Sequence, residues 1–381
     1  MKKTLLAAAL IVGFAGVAQA ETSVTLYGIL DTGYGYQHYK YDNNNVNIKA
    51  TSSGLRDGTV NGSRWGMRGS EDLGDGLRAI FTLEAGINLG TGTSASSKMF
   101  HRSAFIGLAS DSWGTFTMGR QYSPSVTTNV ANAGVNMADM DKAFGGVGYG
   151  NRMDNSFKYT TPNFSGFEAA VAYGSANTTV LRGQNDTVSG WKIDSTGAIV
   201  PATTRTDTDR ANWVSAGLKY ANGPIGVGLS YDRSNNSYES AITNWAVTGA
   251  YDFEVVKLSL AYGQDRNGKL GWGNLDGISD SLGGYMSSAT HDFKSHNYYV
   301  GLSAPLASGR LSASWSRSSS NLDDASALGD RAKNQNIYGV NYVYPLSKRT
   351  SVYAYGSYGT GIGYLDGLKG QEAGVGLNVK F

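Results

Sequence analysis

Apolar and polar positions alternate with a period of two along most of this chain. Near the start, Val24, Leu26, Gly28 and Leu30 share one face, while Thr25, Tyr27, Ile29 and Asp31 share the other. At the end, Ala373, Val375, Leu377, Val379 and Phe381 oppose Glu372, Gly374, Gly376, Asn378 and Lys380. Comparable stretches recur at 62–70, 77–87, 100–109, 113–121, 153–161, 167–175, 211–221, 224–233, 244–251, 255–264, 294–303, 309–319, 334–344 and 349–359, which with the two terminal ones predicts sixteen strands. The connections alternate in length. Short ones at 71–76, 110–112, 162–166, 222–223, 252–254, 304–308 and 345–348 carry the Gly, Asn, Asp, Pro and Ser of turns. Long polar ones fill 40–61, 88–99, 122–152, 176–210, 234–243, 265–293, 320–333 and 360–369.

Seven tight turns at one end and eight loops at the other are what an even-stranded barrel in an outer membrane requires, turns in the periplasm and loops outside. Backbone groups in lipid must all be paired, and closing the sheet removes its edges. Sixteen strands enclose water rather than a packed core. The expected fold is therefore all-β, a sixteen-stranded antiparallel transmembrane barrel shut by its first and last strands. Composition agrees: the chain is rich in Gly (52) and Tyr (24), poor in Pro (6), and only 40% hydrophobic. A pore wall is apolar outside and polar inside, so a membrane protein of this kind needs no hydrophobic excess.

Residues 1–20 read as a signal peptide. Lys2 and Lys3 precede an apolar run over 5–17, and Ala18-Gln19-Ala20 closes it as a small-x-small cleavage site. Thirteen residues of helix rise about 20 Å, short of the roughly 30 Å hydrocarbon core. The expected division is 1–20 signal and 21–381 barrel. Without Lys2 and Lys3 the chain holds 30 basic and 30 acidic residues, a balance that argues against nucleic acid as a partner. There is no cysteine, so neither disulfides nor thiolate metal sites enter.

An enzyme is not expected. His38, His101, His291 and His296 are the available imidazoles, and the last two are five apart, which suits neither a strand face nor a helix face. No Gly-x-Ser-x-Gly elbow occurs, and the glycines of 28–35 continue a strand pattern rather than opening a helix. Asp323 and Asp324 offer hard oxygen ligands, but a solvated surface pair explains them as well. No cofactor is expected.

Several stretches then resemble the Gram-negative general porins, specifically the trimeric branch typical of beta-proteobacteria. They are Val24-Thr-Leu-Tyr-Gly-Ile-Leu-Asp31, Ser63-Arg-Trp-Gly-Met-Arg-Gly-Ser-Glu-Asp-Leu-Gly74, Phe105-Ile-Gly-Leu108, Gly114-Thr-Phe-Thr-Met-Gly-Arg-Gln121, Asp154-Asn-Ser-Phe-Lys-Tyr159 and the terminal Phe381. The resemblance implies a homotrimer in the outer membrane, surrounded by lipid and lipopolysaccharide and delivered by periplasmic chaperones and the barrel-assembly machinery. It also implies a third external loop folded into the lumen, and a C-terminal aromatic, here Phe381, read as an assembly signal. The family pattern places arginines on the pore wall, and the matching positions are Arg64, Arg102 and Arg152. The third loop, 122–151, has Gly134 and 145–148 for turning and Asp139 and Asp141 near its centre.

Alternation supports the orientation of Arg64, which shares a face with Gly66 and Arg68 while Trp65 and Met67 point away. Fixed cations facing an acidic loop bias passage by charge, and three arginines against two aspartates favour anions. Arg68, Arg78 and Arg120 extend the positive track in this reading, and Glu84 or Asp31 are carboxylates with which lumenal arginines can instead pair. Trp65, Trp113, Trp213, Trp245 and Trp315 are candidates for the aromatic girdle or for a subunit interface. The expected function is a water-filled channel for passive diffusion of ions and small hydrophilic solutes, with an anion preference. Two alternatives stay open: a substrate-selective channel, for example for sugars, which would show tyrosines along the lumen, and an adhesive surface protein acting through its loops.

Overall fold

The computed structural model describes residues 22–43, 46–131, 152–175, 187–193, 199–204, 212–235, 241–267, 293–321 and 334–381. The wall starts with β1 (Ser23–Asn43), β2 (Val46–Asp57), β3 (Arg64–Gly74) and β4 (Leu77–Asn88), and a two-residue β5 (Thr93–Ser94) folds back on β4. Then come β6 (Ser103–Ser110), β7 (Gly114–Tyr122), β8 (Arg152–Thr160) and β9 (Phe167–Ser175). β10 (Thr187–Ile193) and β11 (Ile199–Thr204) form a separate hairpin. The wall resumes with β12 (Asn212–Asn222), β13 (Ile225–Asn235), β14 (Ile242–Asp252), β15 (Lys257–Arg266) and β16 (Lys294–Leu306). It finishes with β17 (Gly309–Ser320), β18 (Asn334–Pro345), β19 (Thr350–Thr360) and β20 (Leu368–Lys380).

β2 and β3 are two halves of one wall strand, since β1 pairs with β2 over Thr32–Asn43 and with β3 over Ser23–Ile29. Counting them as one gives the sixteen expected strands, all antiparallel. β20 pairs with β1 from Ile29↔Lys380 to Tyr41↔Leu368, and Gly28 and Phe381 exchange backbone hydrogen bonds at 3.1 Å, so the cylinder is shut. Every ladder donor and acceptor along the seam then has a partner, which is what lipid demands.

The two faces follow the alternation. Outside, Val24, Leu26, Ile106, Phe157, Val171, Leu260, Val340 and Val375 are exposed to the bilayer. Inside, β17 presents Ser312, Ser314, Ser316, Ser318 and Ser320, and β20 presents Glu372 and Asn378. Trp245 and Trp315 lie on the outward face and Trp113 sits in a short turn, whereas Trp213 shares the inward face with Ser215 and so leaves the girdle. The girdle reading rests on ring chemistry and position near a strand end, and parity overrules it for Trp213.

The expected loop at 40–61 is largely strand. β1 and β2 stay in register up to Asn43↔Val46, well beyond the stretch expected for the first strand. Tyr39 and Tyr41 there meet Ala50 and Ile48, and together they pack on Ile337, Ile362, Leu365 and Leu368. Polar residues such as Thr51 and Ser52 disguise the pattern, but cross-strand aromatic contacts hold the ladder. Part of the expected last loop is likewise a compact turn, with Ile362–Tyr364 as a short 3-10 helix packed inward and buried.

Candidate pore constriction

Among the described residues, two segments beside the candidate arginines fold from the wall into the lumen. The first is 58–63, where β2 breaks before β3. The Gly58 amide donates to the Asp31 carbonyl at 2.8 Å and the Asn61 amide donates to Asp31 Oδ2 at 3.0 Å. Asp31 is fully buried and also accepts from the Tyr353 hydroxyl at 2.6 Å and Asn378 Nδ2 at 2.9 Å, so one carboxylate ties this segment to β1, β19 and β20. A carboxylate accepting several hydrogen bonds is stable without an ion pair.

The second is the start of the third external loop. After β7, Pro124–Thr127 makes one helical turn and the chain runs along the inner faces of β12, β13 and β14. The Ser125 amide donates to Ser215 Oγ at 3.4 Å, and the Val130 amide donates to Thr248 Oγ1 at 3.2 Å. Glycines make the approach possible. A Cβ on Gly228 would stand 2.2 Å from the Thr128 carbonyl oxygen, and one on Gly217 would stand 2.4 Å from Thr128 Oγ1. Val60 of the first segment and Ala131 of the second pack on one inward cluster of Ala261, Tyr299, Tyr353 and Tyr355. Both insertions therefore narrow the lumen.

The cations gather beside these insertions. Arg64 opens β3, Arg102 precedes β6, and Arg152 opens β8, all at the loop end of their strands. Arg102 Nε donates to Glu84 Oε1 at 2.6 Å, and Glu84 Oε2 accepts from the Tyr27 hydroxyl at 3.0 Å. Arg102 also donates to the Tyr122 hydroxyl oxygen at 3.0 Å. Arg152 donates to the same oxygen at 2.5 Å, with its guanidinium 4.4 Å from the Tyr122 ring centre. Arg64 lies within electrostatic range of Arg102, Glu84, Tyr122 and Tyr27. Two guanidiniums thus share one phenol, one of them also holds the carboxylate, and the third lies close by. Arg68 follows Arg64 on the same face and sits 5.5 Å over the Tyr27 ring.

Arg120 is brought to the neighbourhood but is held by others: its Nε donates to the His101 carbonyl and its Nη1 reaches Asp154 at 2.5 Å, where Lys98 also pairs. Arg78 is at the opposite end, bonded to Asp111 in a short turn at 2.9 Å. Asp139 and Asp141, with Gly134 and 145–148, lie outside the described residues, as do His291, Asp323 and Asp324. Sequence reasoning overlooked Tyr122, which it used only to mark where a loop begins, and Lys158, which faces inward and donates to the Tyr122 carbonyl at 3.2 Å. Inward parity with Ser156 was the available signal for Lys158. His101 lies between strands, and its imidazole is pushed below its ordinary range, first by burial and then by Arg152, Arg102 and Arg120. A neutral imidazole is what a site already dense in positive charge favours.

A family model described as Gram-negative porin matches residues 7–362. The chain is 39% identical to an outer membrane porin protein of Bordetella pertussis, with all of both chains covered. It is 29% identical to outer membrane porin protein 32 of Delftia acidovorans, covering all of this chain and 93% of that one. Among solved structures, an anion-selective porin from Comamonas acidovorans superposes with a TM-score of 0.63 at 24% identity, over 95% of this chain and 100% of that chain.

Proposed function

This chain belongs to the Gram-negative porin family and forms a passive channel through the outer membrane, and on that premise we propose an anion-preferring eyelet walled by Arg64, Arg102 and Arg152. One observation carries this reading: Arg102 and Arg152 both bond the Tyr122 hydroxyl, Arg64 lies within electrostatic range of Arg102, and Glu84 pairs with Arg102 alone, leaving the wall with excess positive charge. Asp139 and Asp141 of the third loop supply the opposing charge, and Arg68 and Lys158 continue the cationic track toward the lumen. Guanidinium stays charged at any pH the channel meets, so the field is permanent. The similarity to the Comamonas porin, which is anion-selective, supports the sign.

The chain acts as a channel and not as an enzyme in this reading, and as a homotrimer, supported by a Vibrio cholerae relative of the same fold described in a trimer form. Residues 1–20 are removed as a signal peptide, and Phe381 serves the assembly machinery. A sugar-selective track is less well supported: Tyr299, Tyr353 and Tyr355 face inward, but they are buried under the two insertions and Tyr353 and Tyr355 donate to Asp31 and Glu372.

The test is a zero-current reversal potential across a planar bilayer under a potassium chloride gradient. The mature protein is expected to prefer chloride, and the variant combining Arg64→Gln, Arg102→Gln and Arg152→Gln is expected to lose that preference. An unchanged reversal potential in the variant would remove these residues from the eyelet.

A further inference from the structure

β1 and the chain opposite it run unequal lengths around Asp31. Thr32 pairs with Asp57 at the end of β2 and Ile29 with Arg64 at the start of β3, so the two residues Leu30 and Asp31 face the six residues 58–63. Six against two leaves four that the ladder cannot hold. Lipid offers no partners for their amides and carbonyls, so the excess turns into the lumen and needs hydrogen bonds there. Asp31 supplies them. Its carbonyl accepts from the Gly58 amide and from Ser63 Oγ, both at 2.8 Å, its amide donates to Ser63 Oγ at 2.9 Å, and its Oδ2 accepts from the Asn61 amide at 3.0 Å. The two ends of the segment and a point between them are thus fixed to one residue of β1.

The carboxylate is held from behind as well. Oδ1 accepts from the Tyr353 hydroxyl at 2.6 Å, and Asn378, the residue paired with Asp31 on β20, donates from Nδ2 to Oδ2 at 2.9 Å. No ion pair among the described residues includes Asp31, so it is not the counter-ion of an arginine there. The segment it holds bears on two of the candidate cations. Arg64 follows Ser63 directly, and the Ser63 carbonyl accepts from the Ile87 amide at 3.0 Å where β3 begins. Arg64 Nε is buried without a hydrogen-bond partner, so the guanidinium takes its direction from the backbone it leaves. Arg102 leans on the same segment: a Cβ on Gly62 would stand 3.3 Å from its Nη1.

We infer, on the reading of Arg64 and Arg102 as eyelet residues, that the fully buried Asp31 is their positioning residue: by holding 58–63 in the lumen it sets how far the two guanidiniums stand from a passing ion. Charge and position make opposite demands here. Through its field alone an anion at this place weakens a preference for chloride, and neutralising it strengthens that preference. As a tether Asp31 does the reverse. With 58–63 released, the narrow section widens, ions pass farther from the guanidiniums, and salt screens the fixed charge over about 8 Å. Preference for chloride then falls. Asparagine separates the two effects, since its oxygen accepts from Asn61 and Asn378 as Oδ2 does, while its amide nitrogen donates to the Tyr353 oxygen. The charge is lost and the tether kept.

Two readouts on the full mature protein test this. Reversal potentials under a potassium chloride gradient are expected to show the chloride-over-potassium permeability ratio falling at least about twofold in Asp31→Ala, and unchanged or raised in Asp31→Asn. Ser63→Ala, which alters no charge and removes the hydroxyl bonded to the Asp31 backbone, should lower the ratio too and serves if Asp31→Ala fails to fold. The chain has no cysteine, so Asn61→Cys places a single thiol on the segment and leaves its backbone amide in place. Its modification by a water-soluble methanethiosulfonate is expected to run at least about tenfold faster when Asp31→Ala is added, in line with losing a hydrogen bond to a charged group. Equal labelling rates would overturn the tether. A ratio that rises alike in Asp31→Ala and Asp31→Asn would overturn it in favour of charge. Faster labelling with an unchanged ratio would overturn the positioning role, leaving the eyelet intact if the triple arginine variant still shifts the reversal potential and removing both if it does not.

Discussion

Tyr122 is placed to organise the eyelet without carrying charge. Its hydroxyl accepts from both Arg102 and Arg152, and each such bond to a charged donor contributes about 1.5–3 kcal/mol. Tyr122→Phe keeps ring and volume but releases Arg152 and leaves Arg102 on Glu84 alone, so Arg152 is expected to swing into the lumen and lower single-channel conductance while chloride preference persists. Planar-bilayer recordings of the variant check this, and unaltered conductance would show that the hydroxyl does not hold it. His101 makes the site responsive to acid. An ordinary imidazole gains its proton near pH 6.5, but His101 is pushed below its usual range, so it stays neutral at pH 7 and charges only at lower pH. Protonation adds a positive charge beside the arginines, so chloride preference should hold steady from pH 7 to about 6.5 and rise below it. His101→Asn should remove the part of that rise that exceeds the titration of carboxylates, as measured by reversal potentials across the pH series.

At the scale of elements, the inward course of the third loop depends on what β12 and β13 lack. Val at position 228 would drive a side chain into the Thr128 carbonyl, which now lies 2.2 Å from the place a Cβ would take. Gly228→Val is therefore expected to dislodge 123–131 and raise single-channel conductance, while the barrel keeps its heat-resistant gel mobility. Period two made the wall strands legible because one face meets lipid and the other water, an alternation imposed at every residue of β12 through β20. It failed at the β1–β2 hairpin, where the pattern is held by Tyr39 and Tyr41 against β2 and the last turn rather than by lipid. The insertion at 58–63 was invisible for a different reason. Its anchor is Asp31, a single polar residue on β1, and nothing in the sequence of 58–63 announces that its amides bond there. The positions of Arg64, Arg102 and Arg152 came from the family resemblance, while the bonds of Arg102 and Arg152 to Tyr122 and of Arg102 to Glu84 needed distances between strands.

The whole molecule closes at one seam, and its last residue takes part. The Phe381 ring lies over Gly28, and its backbone completes the ladder with the same residue. Deleting Phe381 removes that final pair and the contact of a half-buried ring, roughly 1 kcal/mol. The variant is expected to assemble more slowly into heat-resistant barrels in a timed gel-shift assay, and equal kinetics would separate closure from this residue. The seam is also the tallest part of the wall. β1 runs for 21 residues, which at the usual tilt is about 50 Å of height against an apolar band of about 25 Å. The surplus stands above the membrane as a stiff parapet of β20, β1 and β2. Ions on this side travel along protein before they meet the eyelet, so the channel behaves as two resistors in series. Widening the narrow one then raises the current by less than its gain in cross-section, because the vestibule keeps its share of the voltage drop.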